Sequence, residues 1–175
     1  DHRGAAVGYT IVEDDRKGRF DREKAEEELG VPPGPAYSRL HEGQPVELDD
    51  GRVIEPEQVV GPARPGRTVV YTGDTRPTDA VISASEDADL LIHDATFAED
   101  RAERAQATGH STAREAATVA RDAGAKQLAL THLSTRYAGN PAIIGEEASD
   151  LLADHHCEAF VANDGQEIRV SYPDE

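Results

Sequence analysis

This sequence of 175 residues contains no methionine and no tryptophan, one cysteine, three lysines and only 5% aromatic residues. Each shortage excludes something. The single Cys157 rules out a disulfide framework and a cysteine-built zinc site. No apolar run approaches the length of a membrane span, and no basic segment leads into an apolar one as in a secretory leader. The expectation is a cytoplasmic protein with no membrane partner. The lack of methionine and the opening Asp1-His2 suggest a fragment or a processed product of something longer. Compact metal motifs such as H-x-H or H-E-x-x-H are missing too.

Acid is what the chain has in excess. Asp and Glu number 35 against 18 Lys and Arg, for a formal net charge of -17. Such acidity can mean disorder, but regular apolar periodicity and many strand-like segments argue for a folded domain. A folded acidic surface, poor in lysine and large aromatics, suits a cytoplasm of very high salt, and a halophilic source is expected. At this length the chain has room for one domain with a core.

Residues 5–13 read as a strand rich in β-branched residues. From 14 to 65 charges and turn formers dominate. This insert has a short helical candidate at 22–29 and a hairpin candidate at 46–48 and 52–54 around Asp49-Asp50-Gly51. Between them Gly30-Val31-Pro32-Pro33-Gly34-Pro35 is expected to be neither helix nor central strand, because its prolines fix φ and remove donors. The insert is expected to add little to a core and to reach out as an arm. From Arg67 strands and helices alternate: strands at 67–72, 89–93, 127–131, 157–162 and 166–172, with helices at 78–86, 97–106, from Thr112, and at 142–154. The alternation predicts an α/β fold with helices layered on a sheet.

Thr68 to Tyr71 runs straight into Gly73-Asp74, which pushes a carboxylate out at a strand end, where open α/β sheets place their chemistry. Asp94 and His132 also close strands. With His2 and His110 they make five candidates. Imidazole and carboxylate are suitable donors for divalent ions of the zinc or manganese type, and a carboxylate can bridge two ions. Taken singly, each is better explained as a hydrogen-bonded histidine or a turn acid; only their shared placement at strand ends brings the metal reading level with that. His110 precedes a capping box, Thr112 with Glu115, and so sits at a helix N-terminus that could favour a phosphate. A histidine there can stabilise a phosphoryl oxygen or protonate a leaving oxygen.

In chain order these segments resemble the C-terminal half of the ribonuclease Z family, the tRNA 3′-processing endoribonucleases of the metallo-β-lactamase superfamily. The resemblance rests on His2 with Ala6-Val7-Gly8-Tyr9, Gly18-Arg19-Phe20-Asp21, Gly30 to Pro35 with Tyr37, and Gly73-Asp74-Thr75-Arg76. It continues through His93-Asp94-Ala95-Thr96-Phe97, His110-Ser111-Thr112, and Leu130-Thr131-His132-Leu133-Ser134-Thr135-Arg136-Tyr137. It implies part of a metallo-β-lactamase αββα sandwich, residues 1–13 and 66–175, with a protruding, flexible tRNA-binding arm at 14–65. It further implies that His2 and Asp74 hold one zinc and Asp74 with His132 a second. His110 is then the catalytic group at the scissile phosphate, oriented by Asp94, which stands where the family often has Glu. Gly34, Pro35, Ser111 and Arg136 are implied to contact substrate. The implied reaction leaves a 3′-hydroxyl on the tRNA and a 5′-phosphate on the trailer, within a homodimer.

The family's His-x-His-x-Asp-His motif is not in this sequence, so four of seven ligands are missing and the N-terminal half of the fold is expected to be absent. An open zinc site needs about three protein ligands. The expectation is that these 175 residues alone neither fold well nor cleave RNA. A catalytically inactive RNA-binding or dimerisation remnant is the alternative. A metallo-hydrolase acting on another phosphodiester is a third reading, and the Gly/Pro motif of the insert argues against it.

Overall fold

The computed structural model describes residues 1–172. In chain order it contains β1 (Tyr9–Val12), a π-helical turn (Lys24–Glu28), α1 (Pro35–His41), β2 (Val46–Glu47), β3 (Val53–Ile54), β4 (Thr68–Tyr71), α2 (Asp79–Ala84) and β5 (Leu90–Asp94). There follow α3 (Ala102–Thr108), α4 (Ala113–Ala123), β6 (Gln127–Thr131), α5 (Ala142–Leu152) and β7 (Glu158–Val161). Two compact units result among the described residues: Asp1–Glu13 with residues 67–172, and Asp14–Gly66.

The first unit is built on a five-stranded sheet of order β1-β4-β5-β6-β7, with β1 antiparallel to β4 and the rest parallel. Alternation along the strands puts Val70, Leu91, Leu128 and Leu130 on one face. There they form a core with Ala116, Ala117, Val119 and Ala120 of α4 and Ile144, Ala148 and Leu152 of α5. Small alanines let α4 lie close to the sheet. The other face carries Tyr9, Ile11 and Tyr71, exposed by 62%, 62% and 43%. Parallel β4, β5 and β6 all end at one edge, which gathers the segments after Tyr71, Asp94 and Thr131.

The insert has a core of its own: Ala25, Val31, Leu40, Val46, Ile54 and Val59 are buried together, with Phe20 and Tyr37 packed against them. This corrects the expectation of a segment with little to bury. Its two limbs pair through Arg16 with Arg64 and Phe20 with Val60. Pro35, expected to lie outside any helix, opens α1 at its first position. There its missing N–H is no loss and its fixed φ suits the helix. His41 closes the same small core by sharing a hydrogen bond with the Gly18 carbonyl at 2.9 Å. The strand expected at 166–172 is not formed. Instead Arg67 holds that stretch by donating to the Val170 carbonyl and lying over the Tyr172 ring.

Candidate metal centre

Asp74 reaches the sheet edge through Gly73. That residue has φ of +64°, and a Cβ on it would lie 2.9 Å from the Val7 carbonyl oxygen. Only glycine fits a left-handed turn so close to another backbone. His132 follows β6 with φ of +61°. This conformation costs a non-glycine residue of order 1 kcal/mol, a strain that clusters at functional positions. It turns the ring so that Nε2 faces Asp74 Oδ2 at 3.6 Å.

Hydrogen bonds assign the tautomer of His132. The Thr96 hydroxyl lies 2.6 Å from Asp94 Oδ1 and 2.8 Å from His132 Nδ1. Its one proton goes to the carboxylate, so its oxygen accepts from Nδ1–H. Nε2 of the neutral ring is then bare, and it faces a carboxylate oxygen. Two acceptors turned toward each other suit a shared cation.

Asp94 plays a different part. It is 1% exposed. Oδ1 accepts from the Thr96 amide and hydroxyl, and Oδ2 accepts from the Thr75 amide at 3.2 Å and from His110 Nδ1–H at 2.8 Å. Four donors fill its lone pairs, so Asp94 orients His110 and His132 rather than offering itself as a ligand. The shorter acid thus reaches His110 directly. Ligand atoms of Asp74, Asp94, His110 and His132 all lie within 4.8 Å of one another.

His2 stands beside this group and outside its 4.8 Å set. Its ring centre is 4.9 Å from that of His110, and Nδ1–H donates to the Gly109 carbonyl at 2.7 Å. Nε2 of His2 is thereby left as the lone pair. Gly109 caps α3 with φ of +78°, and a Cβ there would press on His2 Nδ1 and the Arg3 amide. His110 stacks on His132 with ring centres 5.0 Å apart and planes 19° from parallel. Three imidazoles and one carboxylate therefore meet at the sheet edge. Nitrogen and carboxylate donors of this kind fit a divalent cation.

Most of the first amides of the helix after His110 are already used. Thr112 Oγ1 accepts from the Glu115 amide, the Ala113 amide donates to the Phe97 carbonyl, and the Ala116 amide to the Thr112 carbonyl. Glu115 adds a carboxylate to the first turn. Of the amides at that terminus, those of Thr112, Ala113 and Glu115 are thus engaged within the protein. Ser111, expected to meet substrate, is fully buried and donates to the Thr75 carbonyl at 2.6 Å. Gly34 and Pro35 lie exposed in the insert at the start of α1, and Arg136 is exposed in a short 3-10 turn after His132.

Sequence reasoning gave no role to Thr75, Thr96 or Arg76, although each lies inside a quoted motif. Apart from the bonds of Thr96 to nearby Asp94, their contacts in the site are with residues 19 to 74 positions away, which no local pattern displays.

Residues 58–133 match the beta-lactamase superfamily domain. Over 173 residues, 99% of this chain, the sequence is 66% identical to a ribonuclease Z of Haloarcula marismortui and covers 54% of that protein. It is 62% identical over 174 residues to a ribonuclease Z of Haloferax volcanii, again covering 54%. Among solved structures, the metallo-beta-lactamase fold protein YhfI from Bacillus subtilis superposes with a TM-score of 0.51 at 36% identity. That match covers 57% of this chain and 38% of the other. The chain spans about half the length of the curated relatives it matches.

Proposed function

Because this chain belongs to the ribonuclease Z family of the metallo-β-lactamase superfamily, we propose that it supplies half of the active site of a zinc-dependent endoribonuclease. The substrate is a tRNA precursor, and the products are a tRNA with a 3′-hydroxyl and a trailer with a 5′-phosphate. The single observation that carries this reading is the pair of acceptors, Asp74 Oδ2 and His132 Nε2, held 3.6 Å apart by an orienting network.

His2, Asp74 and His132 would hold the metal, the histidines through their Nε2 atoms and Asp74 through its carboxylate. Bound there, divalent ions lower the pKa of water and offset charge on a phosphoryl oxygen. His110 points its Nε2 away from Asp94, which fixes the other nitrogen. Protonated at Nε2, it delivers that proton to the departing 3′ oxygen, while Asp94 keeps the ring aimed. Three ligands are too few for two ions, so the remaining ones come from residues outside this sequence. The insert, with Gly34 and Pro35, grips the tRNA, Arg136 contacts its backbone, and the protein works as a cytoplasmic homodimer. No helix among the described residues is long and apolar enough to cross a membrane.

Complementation tests this. The 175-residue chain is mixed in molar KCl and zinc with the part of the Haloarcula marismortui relative that it does not match, and a precursor tRNA carrying a 3′ trailer is added. The mixture is expected to cleave at the trailer junction. Either part alone, or a mixture with Asp74→Ala, is expected to be at least about 100-fold slower, given the loss of a direct metal ligand. RNA binding without cleavage in every mixture would favour the inactive remnant. Full activity of the 175 residues alone would overturn the division of ligands.

A further inference from the structure

The loop that carries Asp74 follows β4 and the one that carries His110 joins α3 to α4, yet their spacing must hold for both to serve one phosphate. Arg76, two residues after Asp74, spans that gap. Its Nη1 donates to the His110 carbonyl at 2.6 Å and to Glu115 Oε2 at 2.6 Å, and its Nη2 donates to Glu115 Oε1. Glu115 is held in turn, because Oε2 accepts from the Thr112 amide at 2.9 Å. The Ser111 hydroxyl binds the Thr75 carbonyl beside this contact. The guanidinium thus makes a forked bond to a carboxylate fixed in the first turn of α4 and grips the backbone of His110 itself.

We propose that Arg76 is a positioning residue: through Glu115 and the His110 carbonyl it sets the place of the His110 ring relative to Asp74. The inference rests on the role given to His110 above. Lysine cannot reproduce the fork, since it offers a single point of charge where arginine presents a planar pair of donors. The side chains of Arg76 and Glu115 are 21% and 27% exposed. The pair is therefore shielded enough to hold a geometry, and its loss need not unfold the domain. Three of the five guanidinium N–H donors are engaged by Glu115 and the His110 carbonyl, which is why the proposal has Arg76 act through His110.

The test uses Arg76→Lys and Glu115→Gln in the complementing mixture. Both are expected to lower kcat by about 10- to 100-fold, the range for misplacing a reacting group or losing its supporting partner. KM and zinc affinity should stay within about twofold, because neither residue touches metal or RNA. In a His110→Ala background, Arg76→Lys should cause no further loss, since the two act as one unit. A second readout needs no activity. In metal-free, 15N-labelled chain within the mixture, long-range spectra should report His110 as a single tautomer protonated at Nδ1. Arg76→Lys should broaden or mix that signature.

Multiplying losses in the His110→Ala background, or an unchanged His110 spectrum, would overturn the proposal. A mixture that shows the spectral change but never cleaves RNA would uphold the clamp and overturn the endoribonuclease reading instead.

Discussion

His93 and Asp94 are adjacent on β5 and point to opposite faces of the sheet, as strand geometry requires. Asp94 enters the site and meets four donors. His93 enters the core, where it is 0% exposed. Its Nδ1–H donates to the Asp94 carbonyl, and Nε2 has no partner among the described residues. Burial pushes its imidazole below the ordinary histidine range, against the smaller upward pull of Asp94. The sign of the consequence follows from linkage. The folded state keeps His93 neutral, while the unfolded chain takes up a proton near pH 6.5. His93 thus leaves stability untouched above that pH and erodes it as pH falls below. Asparagine preserves a donor in the place of Nδ1 without a titrating ring. Urea midpoints in high salt should therefore drop less for His93→Asn than for the native chain between pH 7.5 and 5.5. Equal drops would refute this account.

Helix α4 links sequence signal to site geometry. Thr112 and Glu115 complete a reciprocal capping box, and the alanines one turn apart bury its inner face. This much is local, so it is legible from spacing alone. Thr112→Ala should cost about 1 kcal/mol, with Thr112→Ser recovering most of it. Chemical denaturation measures both. Glu115 has a second duty that no spacing reveals, because Arg76 lies 39 residues away in sequence. Other elements escaped local reading for related reasons. Helix α1 opens on Pro35, where a residue that normally ends a helix can start one. Residues 166–172 have strand-like composition but no ladder partner among the described residues. Propensity for strand is realised only by pairing.

On the proposed reading the 175 residues must meet a polyanion while carrying a charge of -17. Residues 14–50, the bulk of the insert, hold eleven acids against six Lys and Arg. At low salt that surface should repel RNA. At molar salt the Debye length is only about 3 Å, so distant repulsion is screened and contacts at close range decide. The affinity of the chain for precursor tRNA, followed by filter binding, should hold or rise as KCl is raised toward molar. A steep fall, as counterion release gives for a basic binding surface, would count against this. The relatives from Haloarcula marismortui and Haloferax volcanii accord with the salt-adapted composition. The sheet face bearing Tyr9, Ile11 and Tyr71 belongs to this scale as well, since aromatic and branched side chains in a row call for a covering layer.

Element order, the α/β class, the cap of α4 and the strand-end placement of Asp74, Asp94 and His132 all follow from local pattern. Periodicity, glycine and capping residues act within a few positions of themselves, so the sequence carries those features openly. Tertiary structure decided which of these polar groups offers a lone pair. Asp74 and Asp94 look alike at the ends of their strands. Only the convergence of Thr75, Thr96 and His110 on Asp94 uses up that carboxylate and leaves Asp74 facing His132. Thr96 is a near neighbour of Asp94, but Thr75 and His110 come from 19 and 16 positions away, and donors brought from distant segments leave no mark on the spacing of the residues they serve.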